Sequence, residues 1–239
     1  FIFGMSRPDV FARMVKPPTD VRLKAVMDTY SKLGFPGCVR SIDCTHIQWN
    51  KCPVHMANLC RGKDKFPSLS FEVVVDHSGY IHSCSTGFVG TAHDAVVYVN
   101  DEYAQQIGGG LYKDVEFSLY NGRGELRTFR GGYLISDAGY TKAWTLQMPN
   151  LATSDLTAVY WSEYMESVRK DIERTFGILK QRFTFLNYRV QYHTQEVIVA
   201  AISVLASHEG RQKLRDISVK VLFFSQFCVI LLESNRCCF

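Results

Sequence analysis

Apolar residues recur at helical spacing in several parts of the chain. Between Pro18 and Leu33 they recur every three or four positions, which predicts a helix that ends at Gly34-Phe35-Pro36-Gly37. A second stripe runs from about Tyr164 to Phe183 and predicts a long amphipathic helix. Two shorter helices are predicted, one over Asp94 to Ile107 with Asp94 in its first turn or at its cap, and one over Glu196 to Leu205.

Strand patterns lie between these helices. Cys38 to Trp49 alternates, with Val39, Ser41 and Asp43 on one side and Ile42 and Cys44 on the other. Two β-rich runs, Leu69 to Val75 and Tyr80 to Gly87, are joined by a predicted turn at Asp76-His77-Ser78-Gly79. A short apolar strand, Gly131 to Ile135, ends at Ser136-Asp137. The pattern as a whole predicts an α/β domain.

Composition narrows the class of protein. The chain has 239 residues, of which 46% are hydrophobic and 21% charged, which excludes a disordered chain and suits one large domain or two small ones. The net charge of +4 permits nucleic-acid binding without requiring it. The longest apolar run, Val221 to Leu232, is shorter than the roughly 20 residues that span a bilayer, so we expect no membrane association.

The cysteines favour free thiols in an intracellular protein. Eight are present, but none form a Cys-x-x-Cys pair, and a core of this size needs no disulfides. The alternative is a zinc-binding module, but the regularly spaced cysteines have no matching set of ligands further along the chain. Its ligands would come from Cys44, Cys52, Cys60, His46 and His55.

Three acids stand out by position. Asp43 lies inside a strand, Asp137 follows the end of another, and Glu173 lies on the long helix beside its apolar stripe. Carboxylates from different elements can surround Mg²⁺, a hard cation that prefers oxygen ligands. The alternative is structural, with Asp137 as a turn residue and Asp43 as a buried hydrogen-bonded acid.

Cations accompany these acids. Arg169, Glu173, Gly177 and Lys180 are spaced 4, 4 and 3 apart, which places them on one helix face. Arg61 and Lys63 belong to a second basic stretch. Cations close to an acidic metal site suit a polyanion such as DNA, so Arg61, Lys63, Arg169 and Lys180 are candidate DNA contacts. The alternative is a solvated face with an Arg169–Glu173 ion pair.

Four motifs resemble those of Harbinger-type transposases, in consistent order over roughly residues 34–205. The first acidic motif is Gly34-Phe35-Pro36-Gly37 followed by Ser41-Ile42-Asp43-Cys44-Thr45-His46-Ile47, and the second is Gly132-Tyr133-Leu134-Ile135-Ser136-Asp137-Ala138-Gly139-Tyr140. The third and most specific runs from Glu166 to Phe183 and includes Arg169, Glu173 and Gly177. Gly90-Thr91-Ala92-His93-Asp94 resembles a segment between the first two.

The resemblance implies a ribonuclease-H-like fold, a mixed sheet flanked by helices. It implies a catalytic DDE triad of Asp43, Asp137 and Glu173 that binds Mg²⁺ or Mn²⁺, with Asp94 as a lower-ranked candidate for the second acid. The implied activity is metal-dependent cleavage of DNA phosphodiesters and strand joining, in the nucleus. The implied partners are DNA, a Myb-like DNA-binding protein and a second copy of the chain.

The chain departs from the family pattern at both ends. We expect residues 1–33 to form only a helical stub of the family's N-terminal helix-turn-helix region. Residues 34–205 are the expected catalytic domain, and residues 206–239 form an atypical tail that we expect to contribute little to the core. These departures leave an alternative function, a catalytically inactive transposase relic that binds DNA or protein.

Overall fold

The computed structural model describes residues 20–62, 65–183, 186, 190, 217–224 and 227–234. The predicted helix over Glu196 to Leu205 lies outside these residues. Five helices and ten strands lie within them, and no helix among them is long and apolar enough to cross a membrane. The helices are α1 (Asp20–Lys32), α2 (Ala57–Cys60), α3 (Asp94–Asn100), α4 (Glu102–Gly108) and α5 (Leu156–Arg182). The strands are β1 (Cys38–Gln48), β2 (Ser68–Val75), β3 (Ile81–Cys84), β4 (Phe88–Val89), β5 (Glu116–Tyr120), β6 (Leu126–Arg130), β7 (Tyr133–Ile135), β8 (Leu146–Gln147), β9 (Ile217–Phe224) and β10 (Phe227–Ser234).

A mixed sheet forms the centre of the fold. Its strand order is β3-β2-β1-β7-β8, and β4 also pairs with β2. The β1–β2 and β2–β3 pairs are antiparallel, whereas β1–β7 and β7–β8 are parallel. The long connection from β1 to the parallel strand β7 carries α2, α3 and α4, whereas residues 136–145, which join β7 to β8, contain no helix. The prediction of an α/β domain with a mixed sheet flanked by helices is therefore confirmed.

Helices cover both faces of this sheet. On one face, Ile172 and Phe176 of α5 pack against Phe71 and Val73 of β2. On the other face, side chains of α3 and α4 pack against β1, β2 and β7, with contributions from Tyr98, Ala104, Ile107, Ile42, Val74 and Leu134. A third cluster joins α1 and α5 to β1 and β7 through Val26, Tyr30, Cys38, Ile135 and Met165.

Several predicted elements have the predicted boundaries to within a few residues. The helix that ends before Gly34 is α1, and the Cys38–Trp49 strand is β1. The predicted turn after Val75 forms, with Gly79 at φ +78° and the Asp76 carboxylate accepting hydrogen bonds from the backbone N–H groups of Ser78 and Tyr80. Gly37 is also required, since its φ is +87° and any side chain there would overlap the Phe117 ring.

Other elements differ from the prediction. The helix over Asp94–Ile107 is two helices, because Asp101 is extended and caps α4 by accepting a hydrogen bond from the Ala104 N–H. A register shift between Cys38 and Arg40 breaks the simple alternation of β1, so Val39 packs in the same cluster as Ile42. The long helix begins at Leu156, eight residues before the predicted start at Tyr164.

Two hairpins form two-stranded sheets that do not pair with the central sheet. The antiparallel pair β5–β6 is exposed along most of both strands and was not predicted. Strands β9 and β10 pair with each other within the predicted atypical tail.

Candidate active site

The sheet brings Asp43 and Asp137 to the same height along the strand direction, which we call the same level. Parallel pairing matches Ser41 of β1 with Ile135 of β7, so Asp43 and Asp137 each lie two residues further along. Asp43 is also paired with Val73 of β2, whose side chain packs on the α5 face of the sheet. Because side chains on neighbouring strands at one level point the same way, Asp43 faces α5.

Arg169 of α5 connects the helix to this strand. Its Nη1 donates to Asp43 Oδ2 at 2.8 Å, and its Nη2 lies 2.9 Å from Glu166 Oε2 and 3.2 Å from Glu173 Oε1. Glu166 and Glu173 lie three residues before and four after Arg169, so all three share one helix face. We call Asp43, Glu166, Glu173 and Arg169 the arginine-centred cluster.

Burial and neighbouring charge determine the electrostatics of this cluster. Burial raises the pKa of Asp43 to about 6; Arg169 opposes this shift and the negative charge of Asp137 adds to it. Asp137 acts in the direction expected of a like charge, which disfavours the ionised form of its neighbour. Burial alone would lower the pKa of Arg169, but Asp43 and Glu166 raise it above its ordinary value, so this side chain is always charged.

The carboxylates of Asp137 and Asp94 both lie close to Gly139. Asp137 Oδ1 accepts a hydrogen bond from the Gly139 N–H at 2.9 Å. A methyl group on Gly139 would stand 3.2 Å from Asp137 Oδ1 and 3.0 Å from Asp94 Oδ2. Asp94 is in the first turn of α3, as predicted, and its carboxylate lies beside the same glycine as that of Asp137.

The acids fit a divalent cation by their chemistry but not yet by their spacing. All are hard oxygen donors from separate elements, as Mg²⁺ and Mn²⁺ prefer. Yet among the residues that the structure describes, no three His, Cys, Asp or Glu side chains lie close enough together to hold a metal ion. Arg169 accounts for part of this, because its guanidinium takes up one oxygen each of Asp43 and Glu173.

The zinc alternative gains no support from these positions. No three of the proposed ligands lie close enough together to hold a metal ion; these are Cys44, Cys52, Cys60, His46 and His55, all described by the structure. Cys44 Sγ lies 3.5 Å from the Tyr140 hydroxyl, and His46 Nδ1 lies 3.3 Å from Ser68 Oγ. The free thiols among the described side chains are Cys38, Cys44, Cys52, Cys60 and Cys84.

The four candidate DNA contacts have different surroundings. Arg61 is exposed, Lys180 is half-buried, and Lys63 lies outside the described residues. The Arg169 side chain is only 8% exposed and is engaged by carboxylates, so in this arrangement it presents no free donor face to a phosphate. Gly177 is exposed, with open space where a side chain would begin.

Sequence patterns did not reveal two features of this site. Glu166 was part of a quoted motif, but nothing in its spacing distinguished it from other surface acids. The Arg169–Asp43 contact joins residues 126 positions apart, and no local pattern reports such a contact. The one sequence signal for this contact was Arg169 itself, a cation between the acids Glu166 and Glu173 of the third motif.

Comparison with known proteins places the chain in a family. The family model described as plant transposon protein matches residues 12–206, most of the chain. The chain belongs to the plant transposon protein family. No curated protein and no solved structure matches it.

The transposon family match covers the whole candidate site. Asp43, Asp94, Asp137 and the arginine-centred cluster all lie within residues 12–206. Strands β9 and β10 begin beyond the last matched residue. The expectation of a transposon-derived protein is confirmed at this level.

Proposed function

We propose that this plant transposon protein is a metal-dependent DNA endonuclease and transposase of the Harbinger type, with a ribonuclease-H-like fold. One observation carries the proposal: Asp43 in β1 lies level with Asp137, two residues beyond the end of the parallel strand β7, and Arg169 of α5 contacts both Asp43 and Glu173. Acids from three separate elements converge on one region of the sheet, as a metal-dependent phosphodiesterase requires.

Asp43, Asp137 and Glu173 would hold Mg²⁺ or Mn²⁺. The bound cations would supply an activated water and charge stabilisation at the leaving oxygen of the phosphodiester. The chain's own contribution is orientation. Asp43 Oδ1 accepts from the Cys44 N–H and Asp137 Oδ1 from the Gly139 N–H, so each carboxylate is fixed through one oxygen. Glu173 is half-exposed, which leaves its carboxylate reachable from solvent.

Basic residues around the site would hold the DNA. We propose that Arg61, Lys63 and Lys180 contact phosphates, which position a duplex without reading its sequence. Gly177 leaves room for the backbone of a strand beside Glu173. Sequence recognition would then come from a Myb-like partner protein, in the nucleus, with a second copy of the chain acting on the other end of the element.

Plasmid nicking and strand transfer test this function. The purified chain is incubated with supercoiled DNA and MgCl₂ or MnCl₂, and nicked and joined products are counted. Asp43→Asn, Asp137→Asn and Glu173→Gln should each reduce nicking by about 10²-fold or more, since each removes a charge that acts in the transition state. Glu163→Gln, an exposed acid on the same helix, and Asp114→Asn, an exposed acid elsewhere, are matched controls that should keep full activity.

The alternative function is an inactive relic that binds DNA or protein. The observation that favours it is the guanidinium of Arg169 between Asp43 and Glu173. DNA binding without nicking under either metal, with both exposed-acid controls equally inactive, would favour the relic. Nicking that depends on the three acids would exclude it.

A further inference from the structure

We propose that the chain forms a two-fold dimer in which the β5–β6 hairpin of each copy packs against the first turns of α5 of the other copy. Both elements expose apolar side chains, they differ in charge, and they lie beside one turn of the fold. Neither the candidate acids nor a metal ion takes part in this contact, so it can be tested without DNA or divalent cations.

The first turns of α5 bury almost none of their side chains. Between Leu156 and Tyr164, Ser162 is the one buried residue. Leu156, Tyr160 and Tyr164 are spaced four residues apart and share one side of the helix, which we call the helix face. Leu156 is 82% and Tyr160 75% exposed. Adjoining exposed side chains that include tyrosine are typical of a surface that another protein covers.

The β5–β6 hairpin presents a second exposed apolar surface. The strand register pairs Phe117 with Phe129 and Leu119 with Arg127, so these four side chains share one side of the ribbon. Phe117 is half-buried, whereas Leu119 and Phe129 are exposed. We call Leu119, Phe129 and Arg127 the hairpin face. An isolated two-stranded ribbon is at best marginally stable in water, so a partner that covers this face would stabilise the hairpin.

The turn before β1 connects the two faces. The Phe35 ring lies 5.9 Å from the Tyr164 ring and 5.8 Å from the Trp161 ring. Two residues later, Gly37 lies directly against the Phe117 ring at the base of the hairpin. The helix face and the hairpin face therefore flank one turn and form two halves of a single surface.

The two halves differ in charge. Residues 143–168 contain no lysine, arginine or histidine, and their acids are Asp155, Glu163 and Glu166. On the hairpin face, Arg127 is 65% exposed, and its Nη2 lies 3.8 Å from Glu125 Oε2. An exposed pair at this distance is weak, so Arg127 can pair with a carboxylate of another molecule. Opposite charges favour a hairpin against a helix, and like charges disfavour a helix against a helix.

A surface with two complementary halves closes into a dimer. In a two-fold contact, residue i of one copy meets residue j of the other copy, and j meets i. When the axis passes beside the turn between the two halves, two hairpin–helix contacts form at once. The turn precedes the start of β1, whereas Asp43 lies five residues into this strand, about 15 Å further along.

Sedimentation velocity of the full chain over a wide range of concentrations, without divalent metal, measures the dimer. We expect a monomer–dimer equilibrium for the wild type. Tyr160→Lys places a cation on the helix face, and Leu119→Glu places an acid on the hairpin face. Each should weaken dimerisation by about 10²-fold, because each substitution occurs twice in the dimer. Val54→Lys and Val99→Glu change exposed apolar residues elsewhere, and both should dimerise as the wild type does.

An equimolar mixture of Tyr160→Lys and Leu119→Glu distinguishes this dimer from others. Their heterodimer has one unaltered hairpin–helix contact and one contact in which the new cation meets the new acid. The mixture should therefore dimerise far more tightly than either variant alone. Loss of dimerisation in one of the two variants only would indicate a helix–helix or hairpin–hairpin dimer and overturn the proposal.

Three further results would also overturn it. These are a wild type that stays monomeric at every concentration, a mixture that dimerises no more tightly than its components, and equal losses in the Val54→Lys and Val99→Glu controls. Circular dichroism melting reports whether each variant folds. Should Leu119→Glu not fold, Arg127→Glu replaces it in both measurements, since it also places an acid on the hairpin face at an exposed position.

Discussion

Glu72 shows how burial of a single carboxyl group affects the stability of this fold. It lies on β2 with 1% of its surface exposed, paired in register with Cys44 of β1. Burial raises the pKa of Glu72 to about 9, and the charges of Asp101 and Asp94 add to the shift. The folded protein therefore keeps a proton on Glu72 at neutral pH.

Glu72→Gln should make stability less dependent on pH. The folded pKa of about 9 lies above the ordinary value of 4.5, so the wild type loses stability as pH rises between these two values. The loss is up to about 1.4 kcal/mol per pH unit. Glutamine does not ionise. In urea denaturation, the free energy of unfolding of the variant relative to the wild type should therefore be higher at pH 8 than at pH 5. A difference in stability that is the same at both pH values would contradict the shifted pKa.

Gly177→Ala should stabilise the protein by about 0.5–1 kcal/mol, because glycine inside a helix costs that much relative to alanine. Nothing lies within 4 Å of the added methyl group. Thermal unfolding measures the gain, and Gly37→Ala is the contrast, since it should destabilise by overlapping Phe117 at a positive φ. A lower melting temperature for Gly177→Ala would show that the space beside Glu173 is not open.

At the scale of elements, local patterns predicted what is locally determined. The apolar stripe of α5 and the pattern of β1 and β2 follow from which face each element buries. The β5–β6 hairpin was missed although Phe117 and Leu119 alternate with Glu116 and Ser118, because both strands are short and most of their residues are exposed. The start of α5 was missed because exposed apolar residues such as Leu156 and Tyr160 obscure its stripe. Arg169 and Asp43 could be named from their motifs, but their contact depends on how the elements pack.

Asp76 connects three elements around a predicted turn. Its side chain is 1% exposed, and its Oδ2 lies 3.0 Å from Arg22 Nη2 of α1 and 3.2 Å from His82 Nε2 of β3. Burial alone would raise the pKa of Asp76, but hydrogen bonds from His82, Ser78 and Arg22 hold it well below its ordinary value. Sequence predicted the turn and not these long-range partners.

Asp76→Asn should therefore cost about 2–3 kcal/mol at pH 7, since it removes the charge of a buried carboxylate that accepts hydrogen bonds from Arg22, Ser78 and His82. Because the folded pKa is lowered, this stabilisation is present above about pH 4 and is lost as pH falls below it. Chemical denaturation at pH 7 and pH 3 should show a large difference from the wild type at pH 7 and a difference smaller by about 1 kcal/mol at pH 3. Asp114→Asn, at an exposed position, is the control, and an equal effect of both variants would refute the role of the buried Asp76 carboxylate.

At the scale of the whole molecule, the proposal requires modest, non-specific binding to DNA. The net charge is +4, and the candidate contacts are a few cations rather than a long basic face. Binding through three or four phosphates should weaken by about 10²-fold between 50 and 200 mM salt, with little preference for sequence. Fluorescence anisotropy with unrelated duplexes measures both properties.

Lys180→Gln should weaken this binding and reduce the salt slope by about one, whereas Lys170→Gln, an exposed lysine elsewhere on α5, should not. Tight, sequence-specific and salt-insensitive binding by this chain alone would contradict the proposal that a partner protein recognises the DNA sequence.

The central claim is that Asp43, Asp137 and Glu173 hold divalent metal. Its most direct test is a crystal structure of the chain grown with MnCl₂ and measured at the manganese absorption edge. We expect an anomalous peak between Asp43 and Asp137, with the Glu173 carboxylate turned towards it. A structure without any peak at these acids, in which Arg169 still bridges Asp43 and Glu173 under saturating Mn²⁺, would contradict the account.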